Sequence, residues 1–186
     1  MNRSEKELNV LYKISQTISA RQHNVAELLN DVLEIMETDM SVSRGTLTLC
    51  KPGTDILNIE ASSGLSDSEI RRGQYKLGEG VTGRVAQTGQ LELVPDISAS
   101  ADFLNRTKAR DDQKTAFICV PIIHHKEIIG TMSIDLPALE EEELKGYALF
   151  LEHVAQILAS AVSTIREEIE ERNALESENE MLRRQL

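Results

Sequence analysis

Residues 116–124 are almost continuously apolar, and this segment constrains the fold more than any other part of the chain. A strand of this composition has both faces covered, so it belongs in the interior of a layered domain. His125 and Lys126 make a short connection to a second predicted strand at residues 127–134, so the two strands form a hairpin. Pro121 cannot donate to a sheet ladder, and we therefore expect a bulge or an open sheet edge at its position.

Helical and extended periodicities alternate along the rest of the chain, which predicts an α+β fold. Apolar residues at three- and four-residue spacing indicate helices, whereas alternating apolar residues indicate strands. By these patterns we expect helices at residues 8–18, 25–36, 66–73, 81–88 and 140–186, and strands at 46–50, 56–61, 91–94, 116–124 and 127–134. Asn24, the Ser66–Glu69 capping box and Gly89 supply helix-end signals. Residues 96–115 are expected to form a long loop with one helical turn at 101–105, and loops of this length are usually functional.

The predicted final helix changes character near Thr164, where its broad apolar face narrows and charged residues become frequent. We therefore expect one domain over residues 1–164 and a linker helix over 165–186. A seven-residue repeat assigns the following residues to a dimer seam: Leu158, Ile165, Leu175, Asn179, Leu182 and Leu186. Leucines with one Asn at position a are typical of a parallel two-stranded coiled coil, in which the Asn fixes the register. The alternative is a solitary, solvated acidic helix.

The formal net charge of −11 bears on what the chain binds. DNA binding needs a basic face that neutralises phosphates, so we expect no direct DNA contact, and an acidic balance also disfavours an anionic membrane surface. No apolar run approaches the roughly 18 residues of a membrane-spanning helix, and the polar N-terminus resembles no signal peptide, so we expect a cytoplasmic protein. Cys50 and Cys119 lie within apolar runs and are expected to be buried thiols, without zinc spacing to any histidine.

Five motifs follow one another through the centre of the chain: Gly78–Ala86, Val94–Ile97, Phe103–Arg106, Phe117–Ile122 and Gly130. In this order they resemble the GAF domain, and in particular the GAF domain of NifA-type activators of nitrogen fixation genes. The resemblance covers most of the chain. It implies an antiparallel sheet of five or six strands, with the N- and C-terminal helices on one face and a ligand pocket on the other.

The resemblance also implies a partner context. In that family the GAF domain precedes an AAA+ ATPase domain that acts on RNA polymerase carrying sigma-54, followed by a DNA-binding helix-turn-helix. This chain has neither a phosphate-binding loop nor a basic recognition helix, so it is expected to be the sensory part of a longer protein. Residues 165–186 would then be a homodimeric helix that leads towards the ATPase domain.

Likeness to the family suggests the following residues as pocket candidates: Thr82, Phe103, Leu104, Arg106, Cys119 and Ile134. Thr82 is small, polar and in the first turn of its predicted helix. The Arg106 guanidinium would bind a carboxylate in bidentate fashion, and the alternative is an ordinary surface arginine. Gly78 and Gly80 either bring an anion to a helix N-terminus or form a plain strand-to-helix turn.

Three functions are therefore open from the sequence. The first is a sensory domain that controls an ATPase through a dimeric helix, in response to a small molecule or a regulatory protein. The second is a GAF-fold enzyme that reduces free methionine sulfoxide, which would require reactive cysteines. The third is a dimerising and docking module with no ligand. We expect no enzymatic activity, and the residues identify no cofactor.

Overall fold

The computed structural model describes residues 2–20, 24–101, 103 and 114–184. Its helices and strands follow the predicted order. They are α1 (Arg3–Ala20), α2 (Val25–Met40), β1 (Arg44–Cys50), β2 (Ile56–Ser62), α3 (Asp67–Arg72), β3 (Gln74–Lys76), α4 (Gly80–Thr88), β4 (Glu92–Val94), a 3₁₀ turn (Ile97–Ala99), β5 (Thr115–His124), β6 (Glu127–Pro137) and α5 (Glu141–Arg184).

The six strands form one sheet in the order β3-β2-β1-β6-β5-β4, with every neighbouring pair antiparallel. The predicted α+β architecture is therefore confirmed, with β3 as an additional strand that the sequence patterns did not indicate. β3 has only three residues, too few to display a period, and it is placed by its pairing with residues 56–58 of β2.

At Pro121, β5 pairs with β6 on one side and with no described strand on the other. β4 pairs only with Phe117 to Cys119, so β5 becomes a sheet edge on that side before Pro121 is reached. The register between β5 and β6 also shifts between Ile122 and Ile123. The expected edge and an irregularity next to the proline are both present.

One face of the sheet packs against α2 and α5, and α1 packs on these two helices to complete the main hydrophobic core. The alternating residues Ile118, Val120, Met132 and Ile134 contribute the sheet side of this core. α4 covers the opposite face, where Val81 and Val85 pack in a smaller cluster. β5 and β6 therefore lie between two layers, as the apolar segment predicted.

The helix-end signals in the sequence act as expected. Asn24 adopts an extended conformation and its side chain accepts from the Glu27 amide at 3.2 Å. Ser66 and Glu69 form the capping box of α3, and Gly89 ends α4 with a φ of 70°. Asp96 begins the 3₁₀ turn by accepting from the Ser98 amide at 3.0 Å.

α5 corrects one sequence-based expectation. It contains a stretch that is long and apolar enough to cross a membrane by length and composition, although no such run was expected. Half of this stretch is buried inside the domain, where residues such as Leu151 and Leu158 pack in the main core. A buried core helix meets the same criterion, because packing inside a protein also selects apolar residues.

Candidate ligand site

A buried polar strip crosses the sheet face that lies under α4. In an antiparallel pair, residues directly opposite each other have their side chains on the same face. β1 and β6 place three such polar pairs in succession: Arg44 with Asp135, Thr46 with Ser133, and Thr48 with Thr131. The described chain contains six residues classed as buried and polar, five of which belong to these pairs, and the sixth is Thr82 on α4.

Hydrogen bonds within the strip satisfy its hydroxyl groups. The hydroxyl oxygens of Thr48 and Thr131 lie 2.7 Å apart in the fully buried part of the strip. The Thr46 and Ser62 hydroxyls are 3.1 Å apart, and the Ser133 hydroxyl donates to the Thr46 carbonyl at 3.5 Å. Buried hydroxyls of this kind are strongly held because losing a partner leaves a desolvated polar group.

An ion pair closes one end of the strip. The Arg44 Nη1 and Asp135 Oδ2 atoms are 3.6 Å apart, and the two side chains are 19% and 5% exposed. At this separation the pair is longer than a charge-assisted hydrogen bond of about 2.7–2.9 Å. A cation and an anion are thus held next to each other beside Phe117, which faces Asp135 across β5 and β6.

Aromatic side chains and α4 close the space above the strip. Phe103 meets the edge of Phe117 with ring centroids 4.9 Å apart and an interplanar angle of 77°. These two rings, with Tyr75, Val81 and Thr82, line a cavity of about 10 Å³. That volume is about the minimum that holds one water molecule. A larger ligand therefore enters only if these side chains move.

Cys119 lies between the strip and α4. Its side chain is fully buried and hydrogen-bonds with Thr131 and Thr82. Loss of solvation outweighs these hydrogen bonds and raises the pKa of the Cys119 thiol to about 12. Burial also raises the pKa of Cys50, whose Sγ donates to the Ile128 carbonyl at 3.6 Å. Neither thiol is activated as a thiolate nucleophile, because a reactive cysteine needs a lowered pKa.

The turn before α4 is held by its own residues. Gly78 and Gly80 have φ angles of 81° and 62°, which favour glycine. The Glu79 carboxylate accepts from the Lys76 amide at 3.1 Å, so a negative charge already lies beside this helix start. Arg84 anchors the helix to β4 through two bonds to Glu92, of 2.9 and 2.7 Å. This geometry fits the plain-turn interpretation of the two glycines.

The structure brings together three of the predicted pocket residues, Thr82, Phe103 and Cys119. It corrects the placement of Ile134, which packs in the main core on the opposite face of the sheet. Because successive strand residues face opposite sides, its neighbours Ser133 and Asp135 face α4 instead. Leu104 and Arg106 lie outside the described residues, and their role remains a prediction.

The sequence analysis missed the polar strip, although a signal for it was present. Polar residues alternate with apolar ones in the predicted strands: Thr46 and Thr48 in β1, and Thr131, Ser133 and Asp135 in β6. Alternation of this type is usually attributed to a solvent-exposed sheet face. Here the face is covered, so the polar residues are buried and hydrogen-bonded.

The residues of the predicted dimer seam fall into two groups, one buried and one exposed. Leu158 and Ile165 are buried in the main core of the same chain, which corrects their assignment as contacts to a partner. Leu175 and Leu182 are 61% and 54% exposed. The Asn179 side-chain amide donates to the Leu175 carbonyl at 3.1 Å. Leu186 lies outside the described residues.

A family model and two similar proteins relate this chain to known proteins. A family model described as "GAF domain" matches residues 22–162. The nitrogen fixation protein VnfA of Azotobacter vinelandii is 38% identical over 95% of this chain and 34% of its own length. AnfA of the same organism is 34% identical over 97% of this chain and 34% of its own length. This chain thus spans about a third of the length of these relatives.

Two solved structures have similar folds. The A. aeolicus nlh2 GAF domain in an inactive state has a TM-score of 0.75 and 22% identity, and covers 86% of this chain and 97% of its own. The free methionine-R-sulfoxide reductase of Neisseria meningitidis, solved with its substrate, also has a TM-score of 0.75, at 19% identity, and covers 90% of this chain and 95% of its own. At these identities the likeness concerns the fold alone.

Proposed function

We propose that this chain, which belongs to the GAF domain family, is the sensory domain of a NifA-type activator that works with sigma-54 RNA polymerase. The observation that carries the proposal is the match to VnfA and AnfA along almost the whole chain. Since these relatives are about three times as long, the ATPase and DNA-binding activities would reside in segments beyond the matched third. Residues 1–164 form the sensory domain in this proposal, and 165–186 lead towards the ATPase domain.

The signal in this proposal is a small molecule that enters the space between the polar strip and α4. Arg44, Asp135 and the strip hydroxyls offer charged and hydrogen-bonding groups, whereas Phe103 and Phe117 supply apolar walls. Sites of this composition bind small molecules, with a few polar groups fixing orientation. Arg106 would add a carboxylate-binding group if it reaches the same space.

Strand β5 provides a route from this space to α5. Phe117 and Cys119 face α4, while the intervening Ile118 and the following Val120 pack in the main core with residues of α5. A change of packing on one side of β5 is therefore transmitted to the other through a shared backbone. A ligand would shift the population between two packings of α5, and the dimeric tail would carry that shift onwards.

The proposal is tested by a chimera in which this chain replaces the matching third of VnfA, with transcription read from a sigma-54-dependent reporter. Thr82→Val removes the hydroxyl that faces Cys119, whereas Thr88→Val changes an exposed residue of the same helix. We expect Thr82→Val to shift the reporter output several-fold, and Thr88→Val to leave it unchanged. A chimera that behaves like VnfA without its matching segment, and that is insensitive to Thr82→Val, would refute the proposal.

Native mass spectrometry of the purified chain tests the ligand separately. A bound small molecule that is lost in Thr82→Val supports the sensory role. The closed cavity of about 10 Å³ favours, on its own, the alternative of a docking module without a ligand. Regulation of the chimera with no bound molecule in any preparation would support that alternative.

An enzymatic role is suggested only by the fold likeness to a methionine sulfoxide reductase. We infer that the chain is not such an enzyme, because Cys50 and Cys119 both have raised pKa values and Cys119 is fully buried. Turnover of free methionine sulfoxide with a thiol reductant would contradict this inference. We further infer a cytoplasmic location, since transcription regulation takes place there in bacteria.

A further inference from the structure

The side of α1 that faces the domain changes from charged to apolar along the helix. Val10 and Ile14 are its buried residues, and both pack in the main core. Arg3 and Glu7 precede them at helical spacing, so at about 100° per residue the four side chains fall within about 60° of one another. The first two turns of α1 thus carry a charged pair at positions where a docked helix ordinarily has apolar residues.

The Arg3 side chain packs against the start of α5. Its guanidinium carbon lies over the Tyr147 ring, 4.3 Å from the ring centre, as in a cation–π contact. Tyr147 in turn packs against the main core. The Arg3 Nε atom also donates to the Glu7 carboxylate at 2.7 Å, one turn further along α1. The contact with Tyr147 links the first turn of α1 to the domain, and the bond to Glu7 fixes the direction of the guanidinium.

Gly146 provides the space that the guanidinium occupies. A Cβ atom at this position would lie 2.8 Å from both Nη1 and Nη2 of Arg3. Gly146 is the single glycine in the 44 residues of α5, where it lies inside the helix. A glycine at such a position is unfavourable relative to alanine, and the close approach of another group accounts for its presence. Gly146 and Tyr147 are here named the α5 notch.

The contacts of Arg3 are weak enough to be broken without unfolding the domain. Its side chain remains 39% exposed, and partly solvated charges contribute little stability because water competes for them. Val10 and Ile14, in contrast, are both fully buried. Regions with few buried apolar contacts open locally at a low free energy. The N-terminal half of α1 is therefore the part of this helix that separates most easily from the domain.

Two features let this half of α1 separate as an intact helix. Asn2 and Glu5 form a reciprocal cap, in which the Asn2 side chain accepts from the Glu5 amide and the Asn2 amide donates to the Glu5 carboxylate, both at 2.9 Å. This cap needs no group from the rest of the domain, so it survives release of the helix. The Lys13 Nζ atom lies 2.6 Å from the Asp39 Oδ2 atom, so the middle of α1 stays attached to α2.

We infer that Arg3 and the α5 notch form a reversible latch between the first and last helices of the same chain. When the guanidinium lies in the notch, the first turns of α1 are fixed on α5. When it leaves, these turns swing away while Val10, Ile14 and Lys13 hold the rest of the helix in place. Because a change in the packing of α5 moves the notch, the latch couples the position of α1 to the state of α5. This inference goes beyond the sensory role and does not depend on any ligand.

Amide hydrogen exchange followed by NMR tests the latch in the purified chain. Arg3→Ala removes the guanidinium, whereas the control Lys6→Ala removes an exposed positive charge from the same turn of α1. We expect the amides of residues 7–11 to exchange at least about threefold faster in Arg3→Ala, the factor that corresponds to the loss of one exposed cation–π contact. Lys6→Ala should leave these amides unchanged, and neither variant should alter exchange in β5 and β6.

Gly146→Ala separates the latch from ordinary helix stability, because the two predict opposite results. Alanine favours a helix over glycine by about fivefold, so at an ordinary helix position the substitution would slow exchange. With the latch, the new Cβ atom expels the guanidinium, so residues 7–11 should exchange at least about threefold faster. The nuclear Overhauser contacts between Arg3 and the Tyr147 ring should disappear. In an Arg3→Ala background, Gly146→Ala should no longer change exchange of residues 7–11, since the notch is already empty.

Three outcomes would overturn the inference. Exchange of residues 7–11 that Arg3→Ala leaves unchanged, or that Lys6→Ala raises equally, would mean that Arg3 does not hold the helix. Slower exchange of these residues in Gly146→Ala would mean that the guanidinium does not occupy the notch. Faster exchange throughout β5 and β6 would mean that the variants weaken the whole domain rather than release α1. None of these outcomes bears on the chimera experiment, which reads transcription.

Discussion

The hydroxyl pair of Thr48 and Thr131 offers a sharp test of how the polar strip is held together. Both side chains are 1% exposed and their oxygens are 2.7 Å apart. Valine has nearly the same shape as threonine but no hydroxyl. Thr48→Val and Thr131→Val therefore remove hydrogen bonds with little change of packing volume.

The two substitutions should differ in cost. In Thr48→Val the Thr131 hydroxyl keeps Cys119 as a partner, so we expect a loss of about 1 kcal/mol in the free energy of unfolding, the net value of one hydrogen bond. In Thr131→Val the buried Thr48 hydroxyl loses this partner and Cys119 loses one of its two. Because a buried unsatisfied group costs about 1–3 kcal/mol, we expect a loss of about 2–3 kcal/mol.

The double variant separates hydrogen bonding from packing. Once both hydroxyls are absent, no threonine oxygen of this pair is left without a partner. The double variant should then be less destabilised than the sum of the single variants by about 1–2 kcal/mol. Urea unfolding measures each free energy of unfolding, from the midpoint concentration of urea and the slope of the free energy with urea concentration, which should be the same for all variants.

A pair of distant residues serves as the control for this double-mutant cycle, which compares the two single variants with the double variant. Thr88→Val on the exposed side of α4 should combine additively with Thr131→Val, within about 0.5 kcal/mol. If the Thr48–Thr131 cycle is equally additive, the two hydroxyls do not interact in the folded protein. The description of the strip as an internally satisfied network would then be refuted.

Three further predictions follow from single sites. Gly130→Ala would place a Cβ 2.0 Å from the Thr48 carbonyl oxygen, so we expect β1 and β6 to separate locally and the unfolding free energy to fall by about 3 kcal/mol, measured by urea unfolding. Cys119 should resist a thiol reagent at pH 8 in the folded chain, since its pKa is raised to about 12, and should react fully in denaturant. The Ser66 amide and, to a smaller extent, the Ser66 hydroxyl donate to Glu69 and lower its pKa. Ser66→Ala removes only the hydroxyl bond, so it should raise that pKa part of the way towards its ordinary value in an NMR titration. A carboxylate whose pKa is lowered in the folded protein stabilises the fold above that pKa, and this stability is lost as the pH falls through it. The unfolding free energy of Ser66→Ala should therefore depend less steeply on pH in the acid range.

The sequence predicted the layered fold because its strands are long and their patterns distinct. The β5–β6 hairpin was predicted from the apolar run and its two-residue turn, and Asn24 marked the start of α2 through its capping side chain. β3 was missed because three residues show no period and its pairing with β2 is a tertiary contact. Short strands are placed by their neighbours rather than by their own residues.

The candidate site was predicted only in part, and Ile134 shows the reason. The structure places the predicted residues Thr82 and Cys119 next to each other on this side of the sheet. On β6, in contrast, the sequence analysis chose the apolar residue over its polar neighbours. An apolar side chain is the ordinary choice for a pocket wall, but strand alternation allows either face to be the covered one. Only the position of α4 decides that the sheet face of Ser133 and Asp135 is a covered one.

The internal hydrogen bonding of the strip also restricts what can bind there. In the closed state the hydroxyls of Thr48 and Thr131 satisfy each other, and Phe103 and Phe117 fill the space above. A ligand that displaced the rings and separated these groups would leave buried donors and acceptors, each costing about 1–3 kcal/mol if unpaired. A hydrocarbon cannot offset that cost, whereas a ligand with hydroxyl, amide or carboxylate groups replaces the lost bonds. The strip therefore favours polar ligands, and it does so by the cost it imposes on apolar ones rather than by any single strong contact.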